Sequence, residues 1–294
     1  MRFARVGAVG AERPVVVSDD GRLLELTGLG DLDALLGDLA AVAAAVDGEA
    51  LRPVAQDVGL RFGAPIPRPG KVVGIGLNYA DHAAEAGAPL PTEPVVFLKA
   101  TTSVCGPTDD IRMLPGSTST DYEVELGVVL GSTLRDETDA DRALEAVAGY
   151  VLAHDVSDRA MQLDHGGTWT KGKSADTFCP VGPWLVTPDE VGDPGALRLR
   201  LSVNDEPRQD GTTDDMVFGV GEVLAYVSRL MTLEPGDLVI TGTPAGVAMG
   251  QPEPRPYLRH GDVVALDGGV LGRQRSRIVD PAAEPTHPEA GVTR

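Results

Sequence analysis

Asp121, Glu123 and Glu125 alternate with Tyr122, Val124 and Leu126. In a strand, that alternation puts all three acids on one face. The solvated face of an edge strand has the same pattern. Here the segment runs straight into GVVLG, apolar on both faces, which predicts that the acids stand at the end of a buried strand. Carboxylates packed that closely repel one another and need a cation or protons. About thirty residues on, a second apolar run, GYVLAHD, ends at Asp155. An ionised Asp at the mouth of a buried strand has to be paired, cap a turn or bind a metal. Turn capping stays open, because Ser157, Asp158 and Arg159 follow. A carboxylate set without Cys suits Mg²⁺, with Mn²⁺ or Ca²⁺ as alternatives, rather than Zn²⁺.

His82 and Glu85 lie three residues apart in NYADHAAEAG, a short helical pattern with Asn78 as the expected N-cap and Gly87 as the stop. The spacing puts them on one face, and an exposed pair of small energetic value is spaced the same way. The preceding GIG lacks the third glycine of a dinucleotide fingerprint. Only four lysines, Lys71, Lys99, Lys171 and Lys173, occur among 25 basic side chains. A compact ammonium kept in a chain that otherwise uses arginine is a candidate for a tight pocket. Neither Cys105 nor Cys179 has a base beside it, and Ser103, Ser174 and His165 form no nucleophile motif, which argues against covalent catalysis. His154 alternates away from Asp155 and is expected in the core.

The elements that must position these groups are mostly strands. KVVGIGL, PVVFLK, VELGVVLG, AGYVLAHDV, LRLRLSVN, GDLVITG and DVVALDG are short β-prone runs separated by Gly, Pro and Asp. Helical spacing is confined to NYADHAAEAG, DADRALEAVAG and GVGEVLAYVSRLM. The expected fold is therefore α+β, a mostly β core, sandwiched or rolled, with peripheral helices. Residues 1–65 read as a small N-terminal α+β domain: strands in FARVGAV and PVVVSDDGRLLEL with an Asp20-Gly21 hairpin, then a helix over 31–46. The Pro- and Gly-rich stretch near 62–70 is the expected boundary. The tail, 282–294, is Pro-rich and expected to be loose.

The chain has 294 residues, 44 acidic against 25 basic side chains, and a formal charge of −19. Such a surface repels polyphosphate, so nucleic acid is not an expected partner. No signal peptide or membrane span is apparent, and two cysteines are too few for a disulfide framework. A cytoplasmic protein with no membrane partner is the expectation.

DYEVELG, then AHDVSDRAMQ, WTKGKSADTFCPVGPW and MTLEPGDLVITGTPAGVAMG occur in the order of the fumarylacetoacetate hydrolase family, which the chain resembles over roughly two thirds of its length. The resemblance implies a catalytic domain over 70–281 and Glu123, Glu125 and Asp155 as ligands of a divalent ion, usually Mg²⁺. It makes His82 and Glu85 a pair that closes over the metal and takes a proton from water, and Lys173 a stabiliser of negative charge. Lys99, Arg159, Gln162 and Thr243 become substrate contacts, Ala100 replacing the proline usual after that lysine. Arg208, Gln209, Met216 and Phe218 are candidates for selecting the substrate tail, with packing as the other reading of the last two. The implied reaction is hydrolysis of a C–C bond in a 2,4-diketo acid of acylpyruvate or diketo-deoxy sugar acid type, a small anionic substrate, by a homodimer. A β-keto acid decarboxylase or keto–enol isomerase uses the same metal-enolate chemistry, and a non-catalytic ion-stabilised binding module is the reading from another class.

Overall fold

The computed structural model describes residues 1–283 apart from 19, 27–31, 33–35, 37–41, 43, 45–50 and 55–58. Most of the helix expected over 31–46, and the tail from 284 on, lie outside the described residues.

Among the described residues, eleven strands form one sheet. Its central strands are Leu185–Val186, Val147–His154, Val124–Leu130, Leu238–Ile240, Val72–Gly76 and Val95–Lys99, hydrogen-bonded in that order. Val124–Leu130 and Val147–His154 run antiparallel with Val124 opposite His154, whereas Leu238–Ile240 and Val72–Gly76 are parallel. A second sheet of five strands contains Glu206–Thr212, Arg198–Val203, Val263–Asp267, Arg273–Val279 and Ile111–Arg112.

Side-chain alternation explains the layers. Leu126, Val128 and Leu152 share one core with Leu199, Leu201, Val264 and Ile278 of the second sheet, while Val129, Val151 and Ala153 join Phe3, Leu36 and Val42 on the opposite face. Both faces of the central strands are thus buried, as GVVLG predicted. Mixed sheets with peripheral helices are the α+β architecture expected from the sequence.

The hairpin around Asp20-Gly21 is present: Arg13–Val17 pairs with Leu23–Glu25, and Gly21 takes a φ of 82°. Arg2–Val6 then pairs with Leu185–Val186, so the N-terminal strands extend the same large sheet. Arg61 strengthens this join by donating to both oxygens of Asp109 at 2.6 and 2.7 Å and to Glu12 at 2.7 Å.

The three helical patterns appear as Ala80–Glu85, Ala140–Leu144 and Val220–Leu230. Two short elements carry no apolar periodicity and were not legible: a wide helical turn at Ala160–Asp164 and a helix at Trp169–Lys173. The second delivers Lys173. Both cysteines are free, and burial pushes the Cys179 thiol up to about 12, as befits a packed residue.

Candidate active site

Glu123 and Glu125 flank Val124 at the start of the central strand, and Asp155 follows the end of its neighbour. The Asp155 N–H donates to Glu123 O at 3.0 Å, which sets the two segments in register. Oxygens of Glu123, Glu125 and Asp155 all lie within 4.8 Å of one another, and all three residues are buried.

Asp121 does not join them, contrary to the alternation argument. The regular strand is interrupted after Asp121, and Thr120–Asp121 pairs separately with Ser157–Asp158. The Asp121 carboxylate turns to the 245–250 loop, accepting from Ala248 N–H at 2.8 Å and Met249 N–H at 3.0 Å, and from Arg159 Nε at 2.8 Å.

The triad is unevenly compensated. Burial alone would raise the Glu123 pKa, but Lys173 and Arg159 overrule it and hold Glu123 at about 2. Lys173 Nζ donates to Glu123 at 2.9 Å, and Arg159 Nη2 at 2.6 Å. Asp155 takes Lys99 Nζ on one oxygen and Lys173 Nζ on the other, each at 2.5 Å. Among the described residues, Glu125 accepts only the Gly242 N–H, at 2.7 Å. Burial, then Asp155 and Glu123, push its pKa well above the ordinary carboxylate range.

Four acids, Asp121, Glu123, Glu125 and Asp155, therefore face three bases, Lys99, Arg159 and Lys173. Among the described residues, the acid left without a cationic partner is Glu125. A divalent cation would satisfy it with oxygen ligands of the right number and hardness, so the residues fit the group.

Lys99 departs from its expected role. Its side chain has no exposure, and it bonds Asp155 and, at 3.3 Å, Val156 O. It does not line the cavity below. The physical reason is that a fully buried Asp needs a buried cation behind it. Lys173 does reach the cavity, but its three N–H directions go to Glu123, Asp155 and Ser157 Oγ, and it lies 4.9 Å from the centre of the Phe97 ring. Lys171 instead bonds His165 O near the surface.

His82 and Glu85 meet on one helical face as expected: Nδ1 lies 3.0 Å from Glu85 Oε1. The N–H on Nδ1 donates to the carboxylate, which leaves the Nε2 lone pair as the basic position. Asn78 is not the helix cap; Tyr79 occupies that position without a side-chain cap bond. Asn78 instead donates to Phe218 O at 3.0 Å and Thr241 O at 2.8 Å and accepts from Phe218 N–H at 2.9 Å. Between strand and helix, Leu77 is held at a φ of 54°, a strained setting for a bulky residue.

The His82 imidazole, two of the triad carboxylates and Lys173 open on one cavity of about 250 Å³. Its polar wall is His82, Glu123, Glu125, Arg159, Gln162, Lys173 and Thr243, and its apolar wall includes Ile75, Leu77, Phe97 and Trp169. Gln162 accepts from Arg159 Nη1 at 2.9 Å, and Thr243 donates to Val124 O at 2.9 Å. An adjoining vestibule of about 530 Å³ is lined by Thr118, Ser119, Asp164, Arg255 and Tyr257.

Of the expected tail-selecting residues, none lines either space. Gln209 is buried, Arg208 pairs with Glu206, and Met216 and Phe218 pack against the core. The sequence also gave no hint of Ser157 or the Gly242 N–H, because backbone groups and lone hydroxyls carry no spacing signal.

A buried oxygen triad, two of whose members share a cavity wall with the imidazole of a His–Glu pair, defines a metal-associated enzyme of the hydrolase type. The chain belongs to the fumarylacetoacetate hydrolase family, whose C-terminal domain model matches residues 71–279. It is 48% identical over 278 residues to the 2,4-didehydro-3-deoxy-L-rhamnonate hydrolase of Sphingomonas sp. (strain SKA58), covering 95% of this chain and 96% of that protein. Among solved structures, it matches a fumarylacetoacetate hydrolase from the psychrophilic Exiguobacterium antarcticum with a TM-score of 0.81 and 35% identity, over 95% of this chain and 99% of that one. It also matches a maleylpyruvate hydrolase from Sphingobium sp. SYK-6 with a TM-score of 0.76 and 32% identity, over the same shares.

Proposed function

We propose that the protein hydrolyses a C–C bond in a 2,4-diketo acid, releasing pyruvate or a related keto acid. The observation that carries this reading is that His82, with Glu85 on its Nδ1, lines the same cavity as Glu123 and Glu125, whose oxygens cluster with those of Asp155. A decarboxylase needs only the enolate-stabilising half of that site, whereas hydrolysis also needs a base for water.

Glu123, Glu125 and Asp155 would hold the cation, with Mg²⁺ as the expected ion and Mn²⁺ or Ca²⁺ as alternatives for an all-oxygen set. When bound, it supplies Lewis-acid polarisation of carboxylate and keto oxygens. His82 Nε2 takes a proton from water, and Glu85 stabilises the imidazolium that results. The hydroxide adds to C4, the C3–C4 bond breaks, and its electron pair passes to the C2 oxygen as an enolate. Protonation at C3 completes pyruvate, and the other product leaves as a carboxylic acid. Lys173 contributes positive charge at the cavity wall as the enolate forms. Arg159 and Gln162 shape the wall beside Glu123, and Thr243 presents a hydroxyl.

The vestibule supports a hydroxylated tail over a second carboxylate. Arg159 spends its guanidinium on Asp121, Gln162 and Glu123, and Arg255 pairs with Glu253 at 3.4 Å. Asp164 and Glu85 also line the space, so an anionic tail would meet negative charge. Thr118, Ser119 and Tyr257 suit hydroxyl groups. The rhamnonate hydrolase relative, named for a diketo-deoxy sugar acid, fits that chemistry.

Among the described residues, no helix is long and apolar enough to cross a membrane. A cytoplasmic homodimer without nucleic-acid or membrane partners remains part of the proposal, supported by the acidic surface and the family. So does the division into 1–65, a catalytic domain at 70–281 and a tail.

The test is a panel of 2,4-diketo acids and oxaloacetate assayed with Mg²⁺ for pyruvate release, with wild type beside His82→Ala. Loss of C–C hydrolysis in the variant is expected. Decarboxylation of oxaloacetate as the sole wild-type activity would overturn the hydrolase reading, and no activity on any keto acid would favour a binding module.

A further inference from the structure

The central strand loses a neighbour where the metal ligands begin. Leu238–Ile240 pairs with it only as far as Gly127 opposite Ile240, and the last link of that ladder is Thr241 N–H donating to Leu126 O at 3.0 Å. Beyond it the chain turns away through Gly242. Val124, between Glu123 and Glu125, pairs with His154 on its other side, so its outward N–H and C=O face a gap in the sheet. Buried backbone groups are rarely left unpaired, because an orphaned one forfeits its hydrogen bond to water.

Side chains fill the gap. Val124 N–H donates to Gln209 Oε1 at 2.9 Å, and Thr243 Oγ1 donates to Val124 O at 2.9 Å. Gln209 Nε2 closes the ring by donating to Thr243 Oγ1 at 2.7 Å and to Pro244 O at 2.8 Å. The Val124 N–H can only donate and the Pro244 carbonyl can only accept, which leaves the Gln209 amide one orientation.

Gln209 comes from the other sheet. It reaches the gap because Glu206–Thr212 carries a bulge: Leu201 faces Gln209 and Ser202 faces Pro207, which leaves Arg208 as the extra residue. A bulge bends its strand and re-aims the side chains beside it. The result ties the five-stranded sheet to the peptide between two metal-site carboxylates.

We propose that Gln209 is a positioning residue for the metal centre: by standing in for the missing strand at Val124, it fixes the spacing of Glu123 and Glu125 and couples that spacing to the Thr243–Pro244 loop. The proposal rests on the reading of those carboxylates as metal ligands. Gln209 touches no ligand, since it lies behind the cavity wall.

Gln274 provides an internal control. It is equally buried, and its Nε2 donates to Leu152 O, Pro180 O and Gly182 O at 2.9–3.3 Å, away from the carboxylates. Gln209→Met and Gln274→Met remove comparable buried amides, so both should lower the thermal midpoint of the metal-free protein. Calorimetric titration of the full chain with Mg²⁺ or Mn²⁺ alone should show the dissociation constant rising about 10- to 100-fold in Gln209→Met and less than two-fold in Gln274→Met. An unchanged constant in Gln209→Met, or an equal rise in both variants, overturns the proposal. Should Gln209→Met not fold, Thr243→Val opens the same ring at Val124 O, and an unmoved constant there overturns it as well. Wild type that binds neither ion would remove the metal reading itself, and this inference with it.

Discussion

The Gly246 N–H donates to the Glu85 carboxylate, 3.0 Å from each oxygen. The acid that orients His82 is therefore held from both sides, by the imidazole and by a backbone group of the loop that also carries Thr243. Gly246 has a φ of 111°, and a Cβ there would come within 2.0 Å of Arg208 O. The close approach admits no side chain, so this loop can dock Glu85 only with glycine at that position.

Glu85→Gln keeps the shape of that contact and removes the charge that stabilises imidazolium. His82→Ala removes the base altogether. Either change should lower kcat about 10²- to 10⁴-fold, with metal affinity unchanged. Gly246→Ala should also lower kcat, through displacement of the loop. Steady-state kinetics beside metal titration decide this: a parallel loss of metal binding in His82→Ala would contradict the assigned role.

Much of this arrangement was legible in the sequence, and the illegible part has a common cause. Alternation correctly brought Glu123 and Glu125 to one face, and helical spacing brought His82 to Glu85. Asp121 obeyed the same alternation and still went elsewhere, because two amides of the 245–250 loop and Arg159 offered it better partners than a carboxylate cluster. Asn78 has the residue type of an N-cap, yet three backbone groups at 218 and 241 claim its amide. Local pattern specifies which face a side chain takes. Contacts between segments distant in the chain, 38 to 163 residues apart in these cases, decide what it bonds there.

His154 is buried with neither ring nitrogen hydrogen-bonded among the described residues, and burial pushes its pKa down to about 3. The folded state thus keeps it neutral while the unfolded chain protonates near 6.5. Stability falls as pH drops below that value, because the unfolded state binds the extra proton. At pH 5 the difference is about 2 kcal/mol. His154→Leu should flatten the profile, measured by urea unfolding at pH 7.5 and 5.0. A variant that loses as much stability as wild type between those values would show that His154 is not its source.

Glu125 has a raised pKa in the metal-free protein, so its sign is opposite to that of an ordinary paired carboxylate. Its contribution to stability is complete below the unfolded value of 4.5 and is lost as pH rises through the folded value, where burial beside Asp155 and Glu123 penalises the charge. A cation removes that penalty. The gain in thermal midpoint on adding Mg²⁺ should therefore grow as pH rises, and binding should release protons, detectable as a buffer-dependent heat. Glu125→Gln should abolish both effects. A pH-independent gain would place the uncompensated charge elsewhere.

Lys99 offers the sharpest separation between a substrate contact and a structural charge. It bonds Asp155 and Val156 O with its side chain wholly buried. Removing it leaves Asp155 with Lys173 alone, and breaking a buried pair from one side costs about 3–5 kcal/mol. Lys99→Met should therefore lower the thermal midpoint of the metal-free protein, and a cation at the triad should restore part of the loss, because it supplies the charge Asp155 has lost. KM for a diketo acid should change little in the metal-saturated variant. A substrate contact predicts the reverse, a KM raised several-fold at an unchanged midpoint. Differential scanning calorimetry with and without Mg²⁺, set beside steady-state kinetics, distinguishes the two. The geometry commits Lys99 to the first, since its side chain has no exposure and lies outside the cavity wall, beyond the reach of a ligand.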